Sequence, residues 1–376
     1  MAGIYLHIPF CKQACHYCDF HFSTNTSRKT EMVEAIAREL KLQQAYLDAE
    51  PVNTIYFGGG TPSLLSEKEL NLLLEKMHRL FPVSEGAEIT LEANPDDLKA
   101  DKLIMMRQAG INRLSIGIQS FHEPHLRYLN RAHNAAEAQN CVKLAQDHGF
   151  DNISIDLIYA IPAEDHGIWQ NDLSIAMDLQ PQHISSYCLT IEDKTAFGNW
   201  LRKGKITEVE EEYAAEQFEM LLETLQSNGF EQYEISNFCL PGHESKHNSN
   251  YWRKENYLGV GPGAHSYNGN SRQYNISNNS LYLKALAENT IPAELDVLQV
   301  HDQINEYVMT GLRTKWGINL QKISEEYGVD LYEANKHYLD RLHKEGKISM
   351  QDQQLILTKN GKLLADRIAS DLFLLK

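Results

Sequence analysis

Six short β-like runs, with stretches of helical length between them, fill the first half of the chain. No other feature limits the fold as much. The runs are GIYLHIPF (3–10), NTIYFGG (53–59), EITLEA (88–93), RLSIGIQ (113–119), NISIDLIY (152–159) and HISSYCLT (183–190). Amphipathic stretches cover 27–46, 66–80, 97–109, 134–148 and 167–179, and Ser66 with Glu69 has the spacing of a capping box. This rhythm builds βαβ units and a parallel sheet, either open and doubly wound or part of a (β/α) barrel. The strand faces decide between them. Thr90, Glu92 and Asn94 lie opposite Ile89, Leu91 and Ala93; Ser115, Gly117 and Gln119 lie opposite Leu114, Ile116 and Ile118; Ser154 and Asp156 lie opposite Ile153, Ile155 and Leu157. A doubly wound sheet is covered by helices on both faces and reads apolar on both. One polar face kept through three strands therefore predicts an α/β fold of the partial (β/α)6, TIM-barrel type, with an inner wall that meets a polar ligand. Cys11, Gly58–Gly60, Glu92, Gln119 and Asp156 fall at or near the C-terminal strand ends, where barrels carry their chemistry.

After about residue 195 the pattern changes. An acidic helix is expected over 207–228, a strand over FEQYEISNF, and irregular structure packed on the barrel over 241–281. From about 298 an α+β unit reads as winged-helix-like: helices near 301–313, 319–327 and 331–345, a hairpin in KISMQDQQLIL, and a last helix after Thr358. The expected domains are 1–195, 196–297 and 298–376. Residues 301–376 carry 11 basic and 11 acidic side chains, which favours packing over DNA binding.

A formal charge of −16 argues against a general nucleic-acid binder. No apolar run approaches the roughly 20 residues of a membrane span. The start MAGIYLHIPF lacks the basic and long apolar regions of a signal peptide, so a cytoplasmic protein is expected.

CKQACHYCDF (11–20) sets Cys11, Cys15 and Cys18 in one loop after the first strand. In a reducing compartment such a cluster reads as metal ligation or redox chemistry, while Cys141, Cys188 and Cys239, single and in apolar surroundings, read as inert core residues. Three thiolates can each hold one iron of a [4Fe–4S] cube and leave the fourth iron open. Zinc, completed by His7, His16 or His21, is the alternative on spacing alone. A Cys15–Cys18 redox pair leaves Cys11 unexplained.

The C-x3-C-x2-C loop resembles that of the radical S-adenosylmethionine (SAM) superfamily. There the methionyl amine and carboxylate of SAM chelate the open iron, and an electron from the cluster cleaves the C5′–S bond. YFGGGTPS (56–63) and Glu92 in LEANP resemble SAM-contacting segments of the same superfamily. YLHIPFC, GGGTPS, LEANP, GIQSF, LNRAH and IDLIY, in this order, resemble the oxygen-independent coproporphyrinogen dehydrogenase (HemN-like) group. Carried over by position, the resemblance implies SAM contacts at Tyr5, Tyr17, Gly59, Gly60, Thr61, Glu92, Gln119, Arg131, Asp156 and Thr190. Arg131 suits a carboxylate, Glu92 and Asp156 suit amine or ribose hydroxyls, and Tyr17 suits adenine stacking. Ala160 stands where IYG is common in the group.

Within the group the resemblance points to a heme-chaperone branch. The dehydrogenase has a further cysteine where Phe20 stands here, and an N-terminal extension. HNSNYW (247–252) is similar to a motif associated with haem in that branch, which implies haem contacts at His247, Tyr251 and Trp252; His243 and His265 are competing ligands. The expected function is to bind haem and deliver it to apo-hemoproteins of the respiratory chain, with the cluster and SAM retained and the electron donor open. A homodimer and a peripheral membrane association are compatible with it. The alternative is radical oxidation of two propionates of coproporphyrinogen III to vinyl groups.

Overall fold

The computed structural model describes residues 2–374. Strands β1 (Ala2–Ile8), β2 (Val52–Gly59), β3 (Val83–Ala93), β4 (Arg113–Gln119), β5 (Ile153–Tyr159) and β6 (His183–Cys188) lie side by side in chain order, each parallel to the next. Right-handed crossovers without a reversal of strand order put every connecting helix on one side of the sheet. The helices Lys29–Leu42, Glu67–Leu80, Ala100–Gln108, Ala135–Asp147 and Gly167–Leu179 thus cover only one face. Ile89, Leu91, Leu114, Ile116, Ile153 and Ile155 meet them in one apolar core, and the opposite face is left for a polar lumen. This is the predicted partial barrel. Two reciprocal capping boxes, Ser66 with Glu69 and Asn134 with Glu137, fix two of the helix starts.

The stretch 241–281 is not irregular, as expected, but extends the same sheet. Here β9 (Tyr257–Val260) pairs parallel to β1, and β10 (His265–Tyr267), β11 (Ser271–Asn275) and β12 (Ala293–Val297) follow antiparallel. These strands are too short to show periodicity through their glycines and asparagines. A buried carboxylate ties them to the barrel: Glu39 accepts hydrogen bonds from the Gly261 amide at 2.8 Å, Asn275 Nδ2 at 2.7 Å and the Tyr282 hydroxyl. On the other edge FEQYEISNF forms two strands rather than one. They are β7 (Glu231–Glu234) and β8 (Asn237–Cys239), with β8 antiparallel to β6. The acidic helix spans Glu211–Ser227. Four helices, Glu123–Tyr128, Ala196–Arg202, Lys246–Arg253 and Asn279–Ala287, were not anticipated.

The C-terminal unit has its own core around Ile304, Val308, Leu339, Leu355 and Ile368. Its helices start at Val300–Leu312 and Leu320–Tyr327, and the expected third helix breaks at Asn335 into Leu331–Ala334 and Lys336–Lys344. Strands β13 (Ile318–Asn319), β14 (Ile348–Gln351) and β15 (Gln354–Leu357) form a small sheet, and Lys359–Lys362 and Ala365–Asp371 close the chain. Cys141 and Cys239 are buried as expected, whereas Cys188 is exposed at the end of β6. No helix among the described residues is long and apolar enough to cross a membrane.

Candidate functional site

The cysteine loop sits on the C-terminal rim and is clasped from three sides. The Cys11 amide donates to the Ser23 carbonyl, the His16 amide to the Leu129 carbonyl, and the Phe197 amide to the His16 carbonyl. Asn130, in the left-handed region at φ 58°, donates from Nδ2 to the Ala14 carbonyl at 2.7 Å, and its Oδ1 accepts from Gln13 Nε2 at 2.6 Å. Lys12 is held by Asp96 at 2.6 Å and by Asp97. The middle of the loop is therefore ordered by the protein itself. Cys11, Cys15 and Cys18 are free thiols, partly exposed. Burial raises the thiol pKa of Cys11, against a hydrogen bond from Thr61, and raises that of Cys18 to about 11. Metal ligation at these sulfurs would therefore release protons. Among the described residues no three His, Cys, Asp or Glu side chains close on a single ion. A cube takes each cysteine on a different iron.

Each of the three histidines that could complete a zinc site has a ring nitrogen engaged outside the cysteine set. His16 Nδ1 lies 2.9 Å from the Tyr128 carbonyl, His7 Nε2 lies 2.8 Å from the His21 carbonyl, and His21 Nε2 lies 2.8 Å from Asn279 Oδ1.

Beside the loop, the polar wall is built as the strand faces imply. Arg131 donates from Nη1 to Cys15 Sγ at 3.2 Å and to the Tyr17 hydroxyl at 3.4 Å, and from Nη2 to Asn94 Oδ1 at 2.7 Å and the Gly117 carbonyl at 2.8 Å. Its Nε is buried with no partner. Burial works against the Arg131 charge, but Tyr17 and Cys15 hold it more firmly protonated than usual. Glu92 accepts from the Tyr56 hydroxyl at 2.9 Å and the Gly59 amide at 3.2 Å. Burial, opposed by Tyr56 and reinforced by Asp156, raises its pKa to about 7. Asp156 accepts from Ser115 at 3.4 Å, and burial raises it to about 6. Gly59 turns at φ 103°, and a Cβ on Gly60 would lie 2.6 Å from the Phe10 carbonyl oxygen, so the glycine turn packs directly on the approach to Cys11. Gln119 ends β4 in the left-handed region at φ 68°. Three free thiols, an anchored guanidinium with one donor to spare and a carboxylate poised near neutrality fit an iron–sulfur cube with an amino-acid ligand.

Not every expected residue joins this wall. Thr190 is exposed on the loop after β6 and its hydroxyl bonds only the Cys188 carbonyl, at 3.4 Å. His247, on the helix Lys246–Arg253, lies behind this wall, its ring stacked 6.3 Å from Tyr5. Its Nδ1 is 2.8 Å from the Thr54 hydroxyl near the start of β2, its Nε2 is 2.9 Å from the Tyr251 hydroxyl, and its amide donates to Glu88 at 3.2 Å. It stacks on Tyr56 at 5.1 Å between ring centroids. Burial lowers its pKa to about 3. As folded, the ring is buried and has both nitrogens engaged. Trp252 borders the C-terminal unit, with the Arg313 guanidinium 5.9 Å from its ring. His265 is exposed on β10.

Sequence reasoning missed Tyr56, the partner of Glu92, and the Asn130–Gln13 clamp. Tyr56 was legible: Thr54, Tyr56 and Gly58 alternate on β2 as Thr90 and Glu92 do on β3, and register pairs Tyr56 with Thr90. The clamp joins residues 117 positions apart and leaves no local signal.

Residues 5–172 match the family profile described as the radical SAM superfamily, and residues 298–364 that of the HemN C-terminal domain. Over 371 residues, 98% of each chain, the sequence is 36% identical to a Bacillus subtilis protein named "Heme chaperone HemW". A Lactococcus lactis protein of the same name is 34% identical over 97% of this chain and 95% of its own. Among solved structures, coproporphyrinogen III oxidase (HemN) from Escherichia coli, a radical SAM enzyme, superposes with a TM-score of 0.86 over 99% of this chain and 90% of that one, at 21% identity. That likeness is one of fold.

Proposed function

The chain belongs to the radical SAM superfamily and, within it, to the heme chaperone HemW family, and from that premise we propose that it binds haem and passes it to apo-hemoproteins. The observation that carries this reading is similarity over the full length of curated relatives with that name. Enzymes of the respiratory chain are the proposed acceptors, and a homodimer and a peripheral membrane contact belong to the same proposal. Cys11, Cys15 and Cys18 would hold a [4Fe–4S] cluster, and the rim from Tyr5 and Tyr17 through Gly59–Thr61, Glu92, Gln119 and Arg131 to Asp156 would hold SAM. When bound, the cluster would supply an electron and SAM the sulfonium C–S bond able to accept it. The chain's own part is to fix the ligand: Arg131 meets its carboxylate, Glu92 its amine, and the Gly59–Gly60 turn lets backbone approach it. Thr190, exposed on the loop after β6, belongs to the same proposal.

For haem, His247, Tyr251 and Trp252 stay the residues suggested by the motif. Iron ligation by His247 would require it to give up Thr54 or Tyr251. Phe20, 69% exposed on the cysteine loop, occupies the position of the dehydrogenase's additional cysteine and favours the chaperone over the decarboxylase. Anaerobically reconstituted protein is tested with haem and with coproporphyrinogen III. A haem Soret band at stoichiometric loading, without protoporphyrinogen formation, is expected. Turnover of coproporphyrinogen III would defeat the reading.

A further inference from the structure

The strand β12 (Ala293–Val297) ends the large sheet: among the described residues it pairs with β11 on one side and with no strand on the other. The register sets Arg272 against Asp296 and Tyr274 against Glu294. These pairs lie between a bond from the Leu298 amide to the Asn270 carbonyl at 3.1 Å and one from the Ile276 amide to the Pro292 carbonyl at 2.8 Å. Bonded pairs alternate along an antiparallel ladder, so Glu294 and Asp296 turn their backbone groups toward β11. The amides and carbonyls of Ala293, Leu295 and Val297 therefore point to the open edge, where they form a template for a further strand.

The side chains along this edge say which strand it suits. Leu295 and Val297 share one face and are 64% and 60% exposed. The other face is acidic. Glu294 is exposed, with no hydrogen bond or ion pair among the described residues. Asp296 accepts only from the Tyr274 hydroxyl, at 3.5 Å, and Arg272, although opposite Asp296, lies 2.9 Å from Glu306. A second copy of the chain fits this pattern badly. A two-fold axis through Leu295 would set Glu294 of each copy opposite Asp296 of the other, like charges face to face, and the formal charge of −16 adds to the repulsion. An antiparallel strand with lysine or arginine at those places makes the same positions attractive.

We propose that β12 is a docking edge that takes, as an added antiparallel strand, an extended segment of another protein in which basic and apolar residues alternate. The outward backbone groups of Leu295 and Val297 give the bonds, their side chains the apolar contact, and Glu294 and Asp296 the choice of partner. This edge does not serve the proposed homodimer. Neither haem nor SAM takes part in the contact, so it stands or falls apart from the proposed function.

The test titrates the full, cluster-loaded chain into a fluorescent synthetic peptide that alternates lysine and valine, read as polarisation. A peptide of the same composition with its lysines in one block is the control, and should bind about tenfold more weakly. Leu295→Pro removes an outward amide while sparing the ladder to β11, and should weaken binding of the alternating peptide about tenfold. Glu294→Lys combined with Asp296→Lys should weaken it by a similar factor and let an alternating glutamate–valine peptide bind instead. Iron and sulfide content and thermal midpoint, measured in parallel, confirm that the variants fold. No binding by the wild type, equal binding of the two lysine peptides, or equal binding by the wild type and both well-folded variants would overturn the docking edge. A wild-type dimer in light scattering that Leu295→Pro dissociates would overturn it too, because the edge would then pair with a second copy.

Discussion

Arg131 and Cys15 are 116 positions apart in the chain, yet the Arg131 Nη1 lies 3.2 Å from the Cys15 sulfur. The contact welds the loop after β1 to the segment after β4, and the same guanidinium reaches β3 through Asn94 and β4 through the Gly117 carbonyl. A lysine keeps the charge but loses the fork. Arg131→Lys should therefore weaken SAM binding by about tenfold or more, with iron and sulfide content unchanged. The change that SAM makes to the EPR spectrum of the reduced cluster, titrated in both proteins, checks this. Equal midpoints would remove Arg131 from the ligand's carboxylate.

Asn130 is strained so that it can hold the cysteine loop. Its left-handed φ of 58° is tolerated by asparagine and lets the side chain bond both Ala14 and Gln13. Alanine there keeps the strain and loses both bonds. Asn130→Ala should lower stability by about 2–3 kcal/mol. It should also speed cluster loss in air, seen as faster bleaching of the iron–sulfur absorbance. Asn130→Gly relieves the strain without restoring the clamp, so it should recover stability but not cluster lifetime.

Glu92 makes the ligand site pH-dependent. Burial raises its pKa to about 7, so near neutrality it is half protonated and only the ionised form pairs with an amine. SAM affinity should rise with pH and level off above about 7. Glu92→Gln should flatten the curve and weaken binding, whereas Asp156→Asn should keep the rise but move it to lower pH, because the Asp156 charge is one of the causes that raise Glu92. The contribution to folding has the opposite sense. An acid whose pKa is raised on folding is unpenalised below its ordinary value near 4.5 and loses stability as pH climbs from there to 7.

The barrel was legible because its polar face repeats on strand after strand. Ser115 and Ser154 are paired in register between β4 and β5, as their alternation in the sequence implies. The three cysteines were legible because a loop ligand set is local in sequence. The extension was not: β9 to β11 run three to five residues, and what fixes them is Glu39 on a helix over 200 positions away, a contact with no periodic trace. His247 is the opposite case. Its motif is recognisable, but whether a histidine opens to a ligand or closes onto Thr54 depends on where the helix Lys246–Arg253 docks, which local spacing does not encode.

Ala160 follows β5 with φ 60°, fully buried, its amide donating to Gln217 Oε1 at 2.7 Å. An L-residue in this region is destabilised by about 1–2 kcal/mol, and glycine returns about half of that through the entropy of the unfolded chain. Ala160→Gly should stabilise the protein by about 0.5–1 kcal/mol in urea unfolding, with cluster content unaltered. A destabilised glycine variant would mean that the alanine methyl packs more favourably than its backbone is strained.

His247 is the residue on which stability and pH meet. Removing its ring leaves the Thr54 and Tyr251 hydroxyls without their imidazole partner and opens a void below Tyr56. His247→Ala should therefore lower unfolding stability by about 3–4 kcal/mol at pH 7, combining a cavity with lost buried hydrogen bonds. Burial keeps the folded-state pKa near 3 against an ordinary 6.5, so the unfolded chain takes up a proton that the native ring refuses. Stability from this group is complete above 6.5 and drains away as pH falls toward 3. His7, His125 and His133, each lowered to about 4 by burial, add to the same acid slope. The alanine variant should thus lose less on going from pH 7 to 5 than the wild type, even though it starts lower. Urea midpoints at the two pH values measure both effects, and a variant with the wild-type midpoint at pH 7 would show that the barrel closes without its histidine.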